Sequence, residues 1–579
     1  MLYINLSQVP GHLKHHAGAF VLALIVGILT VAPYLYFAIT TPNYTGISLM
    51  GQDAEEHYLA RIHESYEGNI TLGNTFTSYK NTPYTSAGAG EAFEAAIAKL
   101  TSLTIPAVSI AAKFVFPLLV FLVLYGFGIQ ISHSRVAAMT GATLGMLGSD
   151  FMSNFREFIA LLHFRSITDG ITWARPINPP MSDLLLFSAL WLLYRICTHE
   201  ARASKVTLVA LGAIIGISLY ISPYIWSYLG VVLLLLFIYE VSKKNYMLAF
   251  DLSISGVIGL LAAIPLALSH LNASTQPGYD IAAQFLGSVT SHVPVFGVWL
   301  LVLLLLPFLM WPLELRPSRP FFIMCGISLF IALNQQVLSG FYLQPGHYHW
   351  YITKPLAGLL LGLILVILLM RYAGAHGAIV FSGAVATLLF IHAGLAQHNF
   401  YVKNAPMAVA AQTYASLFTD LNQHVSLSVY ADRTLSDYIP IYTNDDAPGS
   451  WYAGFYVLPP DYLKHRLFLE YRLRGISVQN CLATLKNERD AVAYQLYGGN
   501  WSSDPSNKEA IPDAVLESLA HDYESFVQTK ISTLMRALSI DALVVDAEND
   551  AWSIKNSDLR LDRIINERFA IYLPFNSGK

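Results

Sequence analysis

The chain has 579 residues, 54% hydrophobic and only 12% charged, where a soluble domain carries about 25% charged residues. A mean hydropathy of +0.48 excludes an ordinary soluble domain and places the chain in the polytopic membrane class. A formal net charge of −4 gives no basic footprint for nucleic acid, and three scattered cysteines (Cys197, Cys325, Cys481) argue against a disulfide framework.

The first apolar run, Phe20 to Ala38 behind Lys14-His15-His16, is long enough to span and lacks a small-residue cleavage site before Pro42. It therefore reads as a membrane span rather than a cleaved leader. Apolar runs recur at 17–38, 107–132, 136–149, 182–198, 206–221, 223–241, 247–268, 293–313, 320–337, 355–371 and 377–396, about eleven spans with the third and fifth short. Alternate connections hold Lys14; Arg135; Arg195, Arg202 and Lys205; Lys243 and Lys244; Arg316 and Arg319; and Arg371. Positive residues in short loops mark the cytoplasmic side, so the expected topology is N-terminus in and C-terminus out. The remaining connections, 42–105, 150–181, 222–223, 269–292 and 338–354, are mostly longer and rich in aromatic and polar residues. The working face is expected there. Ionisable residues fall at span ends and in loops, and no repeat is visible, which argues against a transporter or flippase.

The first of these loops opens with Gly51-Gln-Asp-Ala-Glu-Glu-His-Tyr-Leu-Ala-Arg-Ile-His-Glu64. A helix opened by Asp53 places Asp53, Glu56, His57, Arg61 and Glu64 on one half of the surface. Tyr58, Ile62 and Tyr66 fall on the other, beside Leu59. The pattern predicts an amphipathic helix at the membrane surface with its acidic face in water. Asp53 and Glu56 also fit a capping box, with Asp53 accepting the first amides and Glu56 reaching back. Glu55, nearer the membrane, is a third acid; a partly desolvated carboxylate is more basic and suits general-base work. Arg61 is placed to orient a base or meet a phosphate, and His63 reads as a solvated partner of Glu67.

In the second loop, Arg175 lies between Trp173 and Pro176. It is held extended by the following proline and offers a planar fork to an anionic head group. The loop before the tenth run reads Asn334-Gln-Gln-Val-Leu-Ser-Gly-Phe-Tyr-Leu-Gln-Pro-Gly-His-Tyr-His-Trp-Tyr-Ile-Thr-Lys354. An extended His347-x-His349 puts two imidazoles on one side, which leaves a divalent metal open. Asn334, Gln335 and Gln336 need partners at a span end and are read as the polar lining of a substrate cavity.

From about residue 400 the composition changes. Strand-like runs fall at Val425–Tyr430, Tyr438–Tyr442, Ala542–Asp546 and Phe569–Leu573, with helical patterns at 513–537 and 557–567. Residues 1–399 are thus expected to form a transmembrane domain, and 400–579 an α/β layer domain outside the membrane. No Gly-rich phosphate loop accompanies these strands. Asn43-Tyr-Thr, Asn69-Ile-Thr, Asn272-Ala-Ser and Asn500-Trp-Ser match the N-glycan acceptor pattern, which is common by chance.

On these residues the chain resembles the C superfamily (GT-C) of integral membrane glycosyltransferases. An acidic motif follows the first span (Asp53-Ala-Glu-Glu-His-Tyr-Leu-Ala-Arg61), and many spans and an external C-terminal domain come after it. It is most similar to bacterial members with Glu-His-Tyr-x-Ala-Arg and a late His-Tyr-His-Trp-Tyr loop, although Asp-x-Glu-Glu replaces the adjacent acidic pair of many members. The resemblance implies an inverting hexosyl- or pentosyltransferase in the cytoplasmic membrane. It would move a sugar from a polyprenyl-phosphate carrier to a glycan, lipid or protein acceptor on the outer face, in cell-envelope glycan biosynthesis. Asp53, then Glu55 or Glu56, would serve as base. His57, Arg61, Arg175, Gln335, Gln336, His347, His349 and Lys354 are the expected substrate- and phosphate-binding residues. The resemblance leaves metal dependence open. A catalytically inactive member acting in binding or assembly is the alternative.

Overall fold

The computed structural model describes residues 9–83, 88–198, 204–287, 289–311, 313–498, 510–550, 552, 554 and 558–575. Arg202, the Asn500 sequence and the side chain of Lys14 lie outside the described residues.

Each of the apolar runs forms a helix over most of its length. The chain opens with α1 (Val9–Thr40), α2 (Glu55–Tyr66), α3 (Ala89–Thr101), α4 (Ile105–Ser132) and α5 (Arg135–Leu147). Further apolar helices are Pro180–Thr198, Lys205–Leu219, Pro223–Ser242, Tyr246–Ser274, Val298–Leu309, Arg319–Leu333 and Lys354–Ala411. Among the described residues, seven helices are long and apolar enough to cross a membrane. The run at 293–313 gives only Val298–Leu309, because Val293–Gly297 is extended and the Val295 amide donates to Asn334 Oδ1 at 2.6 Å.

The helix Lys354–Ala411 breaks at Gly374 (φ 73°, ψ 173°), a backbone state that only glycine adopts cheaply. Lys354 bonds Ser153, while His392, on the other half, reaches Glu157 of the same segment. The chain therefore reverses at Gly374, and runs ten and eleven are two antiparallel spans. The first half packs on α5 through small residues. A Cβ on Gly362 would stand 2.5 Å from the Gly141 Cα, and one on Gly358 would stand 2.6 Å from the Leu144 carbonyl oxygen. Small residues four apart let the two backbones touch where no water drives association.

The second half passes residue 400 without a break and ends at Ala411, where its side chains join the core of the C-terminal domain. Two short strands, β1 (Val289–Thr290) and β2 (Phe341–Tyr342), tie two loops together. The C-terminal sheet contains β3 (Val429–Tyr430), β4 (Ala542–Asp546), β5 (Leu559–Ile565) and β6 (Phe569–Pro574) in the order β3-β4-β6-β5. The β3–β4 pair is parallel and the rest antiparallel.

Two expectations fail here. Residues 438–442 belong to a helix, Arg433–Tyr442, started by Asp432, whose carboxylate accepts the Thr434 and Leu435 amides. Leu435 and Ile439 are buried one turn apart, so capping and a helical stripe outweigh the β-propensity of Tyr and Ile. Residues 559–565 form a strand rather than a helix, because Asn566 and Glu567 (φ 50° and 59°) make a tight turn back into β6, the geometry of a two-residue hairpin.

The C-terminal domain also covers α2. Leu59, Ala60 and Ile62 are fully buried in its core, together with Leu435 and Ile439. The expected helix with one wet acidic face is instead packed between membrane-side residues and the C-terminal domain.

Candidate functional site

α2 begins at Glu55, after Ala54 in the left-handed region (φ 57°), and no side chain caps it from outside. The capping-box expectation is thereby corrected. Neither Asp53 nor Glu56 caps. Glu55 turns back and accepts the amides of Gly51 and Gln52 at 3.1 and 3.0 Å.

Two residues apart, Asp53 and Glu55 have opposite surroundings. The Glu55 side chain is 2% exposed and pairs with Lys113 of α4, whose side chain is 1% exposed. The Tyr34 hydroxyl also donates to Glu55, and the Lys113 ammonium lies 3.9 Å from the Tyr34 ring centre. Lys113 sits inside an apolar helix, so ionisable groups are not confined to span ends and loops, as the sequence reading held. Arg61, expected on the wet face, is 2% exposed, and its Nε lies 2.6 Å from Glu91 Oε1 of α3. Burial and the Arg61 charge hold the His57 imidazole well below its usual range. The ring stacks on Tyr452 (5.0 Å, 6°), and its Nε2 meets the Tyr456 hydroxyl at 3.0 Å. These groups form a buried joint between the membrane helices and the C-terminal domain.

Asp53 stays in water, its side chain 79% exposed. Arg175 reaches it from the second loop at 2.9 Å between Nη2 and Oδ2. The arginine backbone is extended (φ −73°, ψ 149°), as the following proline requires. Its other arm donates to the Tyr351 hydroxyl at 2.8 Å. Tyr351 packs edge-on to His347 (5.1 Å), which stacks on Tyr224 at 4.4 Å and 18°. Asn178 binds both the Tyr58 hydroxyl and the Ile221 carbonyl at 3.2 Å. Four sequence-distant loops thus converge on one face. Arg175 Nε, Asn178 Oδ1 and His347 Nδ1 are buried without a protein partner, although buried polar atoms are ordinarily satisfied.

Glu56 lies between the two environments. Burial, then the neighbouring Glu55, pushes its carboxyl up to about 7, and the Tyr452 hydroxyl donates to it at 3.2 Å. Glu94 of α3 has both carboxylate oxygens buried without a partner, and burial pushes it up to about 8.

Of the other expected residues, His347 belongs to the cluster around Arg175, while His349, Gln335, Gln336 and Lys354 make their contacts elsewhere. His347 and His349 sit on a helical turn running into a π-helical turn, Tyr348–Thr353. The extended His-x-His geometry is therefore corrected, since residues two apart on a helix point to different sides. His349 packs against Gly297. Gln335 bonds the Phe341 carbonyl and Ser339, and Gln336 donates to the Val293 carbonyl at 3.0 Å, so both amides hold loop backbone. Lys354 bonds Ser153 Oγ at 2.6 Å over the Trp350 ring. Among the described residues, no group of three or more His, Cys, Asp or Glu side chains is arranged to hold a metal ion.

Sequence reasoning passed over Lys113, Glu91 and Tyr452, and it took Tyr351 only as an interfacial aromatic. A lone lysine in an apolar run was the available signal for the first; Glu91 and Tyr452 had none beyond their residue type.

No family model and no curated protein matches the chain. Among solved structures, the chain is similar to ArnT from Cupriavidus metallidurans bound to undecaprenyl phosphate, at 12% identity over 98% of this chain and 99% of that one, with a TM-score of 0.46. It is also similar to the archaeal oligosaccharyltransferase AglB from Archaeoglobus fulgidus, in complex with an inhibitory peptide and a dolichol-phosphate. That match is 14% identical over 93% of this chain and 70% of that one, with a TM-score of 0.40.

Proposed function

We propose that the protein is an inverting membrane glycosyltransferase that takes its sugar from a polyprenyl-phosphate carrier. The reading rests on the Asp53–Arg175–Tyr351 chain, which joins an exposed carboxylate to an oriented guanidinium beside buried polar atoms that lack partners. A guanidinium fork matches phosphate oxygens. When the donor phosphate occupies Arg175, it displaces Asp53 and frees that carboxylate for the acceptor. Asp53 then takes the proton of the acceptor hydroxyl as its oxygen bonds to the anomeric carbon. The bond from that carbon to the phosphate oxygen breaks on the opposite face, and polyprenyl phosphate leaves with its charge against Arg175.

We rank the candidate bases by their surroundings. Glu55 is neutralised by Lys113 in the interior and serves the fold. Glu56, with its raised affinity for a proton and its Tyr452 contact, is our second choice after Asp53. The outer side of the cytoplasmic membrane, with residues 400–579 beyond it, is the orientation that the loop charges favour.

Purified protein in lipid nanodiscs, incubated with a panel of polyprenyl-phosphate sugars, should release polyprenyl phosphate. Asp53→Asn should slow release by about 10²- to 10⁴-fold, the range for a general base. Undiminished release from an Asp53→Asn, Glu56→Gln double variant would remove the proposal.

A further inference from the structure

A cavity lies in the C-terminal domain, and none of the residues proposed for sugar transfer lines it. It holds about 160 Å³ and is walled by Trp451 and by Tyr430, on which Trp552 stacks at 5.8 Å and 25°. Taking about 30 Å³ per water, the space holds roughly five waters, the scale of one sugar ring.

Its polar lining is Asp432, Arg433, Arg466, Glu470 and Gln495. Arg466 is only 5% exposed. One of its nitrogens donates to the Pro448 and Ser450 carbonyls, at 3.2 and 2.7 Å. Glu470, which lines the same cavity, is the carboxylate whose charge acts on it. A guanidinium carries five N–H donors, more than these two carbonyls take up. Glu470 is oriented by the Gln495 amide at 3.3 Å and by Arg474 at 3.6 Å. Asp432 spends one oxygen on the Thr434 and Leu435 amides, which leaves the other to accept.

The lining carries two cations and two carboxylates, so neither an anion nor a cation meets a net opposite field. What it offers is donors and acceptors side by side, in planar bidentate groups, against aromatic rings. A neutral pyranose needs that combination: each hydroxyl both donates and accepts, and the C–H face of the ring packs on an aromatic surface. We infer that this cavity binds an uncharged saccharide unit through residues other than those proposed for transfer. The inference stands on this cavity's own chemistry and does not require the transfer reading.

Saturation-transfer NMR on the full chain in nanodiscs tests it, with methyl glucoside, galactoside, mannoside and N-acetylglucosaminide as probes at millimolar concentration, and with glucuronate and inorganic phosphate (the latter read by phosphorus NMR) as charged controls. At least one glycoside should show transfer. Glu470→Gln, which preserves volume, should weaken it about tenfold, the loss expected for one charge-assisted contact, and Trp451→Ala, which removes an aromatic wall, should weaken it about two- to tenfold. Asp53→Asn should leave it unchanged, so that failure of the transfer proposal and failure of this one are read separately. No transfer from any neutral glycoside, transfer insensitive to Glu470→Gln and Trp451→Ala, or binding confined to glucuronate or inorganic phosphate would overturn the inference.

Discussion

Asp53 and Glu55 stand two residues apart and belong to different parts of the molecule. Asp53 is in water, held by a guanidinium from a neighbouring loop; Glu55 is interior, held by an ammonium from a membrane helix. The comparison teaches that an acidic motif can divide its labour by direction alone. One carboxylate points outward and remains exchangeable, and the other points inward and fastens the loop to the bundle. Arg61–Glu91 repeats the inward arrangement one turn further along α2.

The comparison can be broken most severely on the inner side. Lys113→Met leaves Glu55 charged and unpaired in the interior, with an expected loss of about 3–5 kcal/mol. Adding Glu55→Gln should restore most of it; thermal unfolding in detergent, followed by monodispersity, reads both. On the outer side, Arg175→Lys keeps the charge and loses the fork. The protein should fold normally, while donor affinity falls by about 1.5–3 kcal/mol, measured as KM for polyprenyl phosphate release.

Between the two lies Glu56, whose pH dependence has a definite sign. Its folded-state pKa, raised from 4.5 to about 7, means the folded state holds the proton more tightly than the unfolded one. The stabilisation it contributes is complete below about pH 4.5 and lost as pH rises through about 7. Glu56→Gln should flatten that segment of the stability–pH curve. The smallest effect is expected at Lys403–Asp169, a surface pair at 2.7 Å with side chains 64% and 43% exposed. Lys403→Ala should cost about 0–1 kcal/mol and leave sugar transfer unchanged.

Much of the frame was legible because apolar length is a local property. Each run of uninterrupted hydrophobic residues became a helix, including the short ones, and the loops expected on one face do meet there: Arg175 with Asp53, Arg175 with Tyr351, and Asn178 with both Tyr58 and Ile221. The wet face assigned to α2 was not legible, because the helix Arg433–Tyr442 that covers it lies almost 400 residues downstream. The strand at Leu559–Ile565 was missed for a related reason. Its polar outer face resembles a charged helix until the partner strand is known.

The sequence by itself determined where the chain is apolar enough to cross a membrane, where its charges concentrate, and that Arg175 is held extended by Pro176. These follow from composition and from backbone sterics within a few residues. Only the tertiary structure decided which acid faces water and which is neutralised, since a carboxylate's chemistry depends on the dielectric and the countercharge around it. Both are supplied here by residues such as Lys113, Arg175 and Tyr452, brought in from other helices and loops.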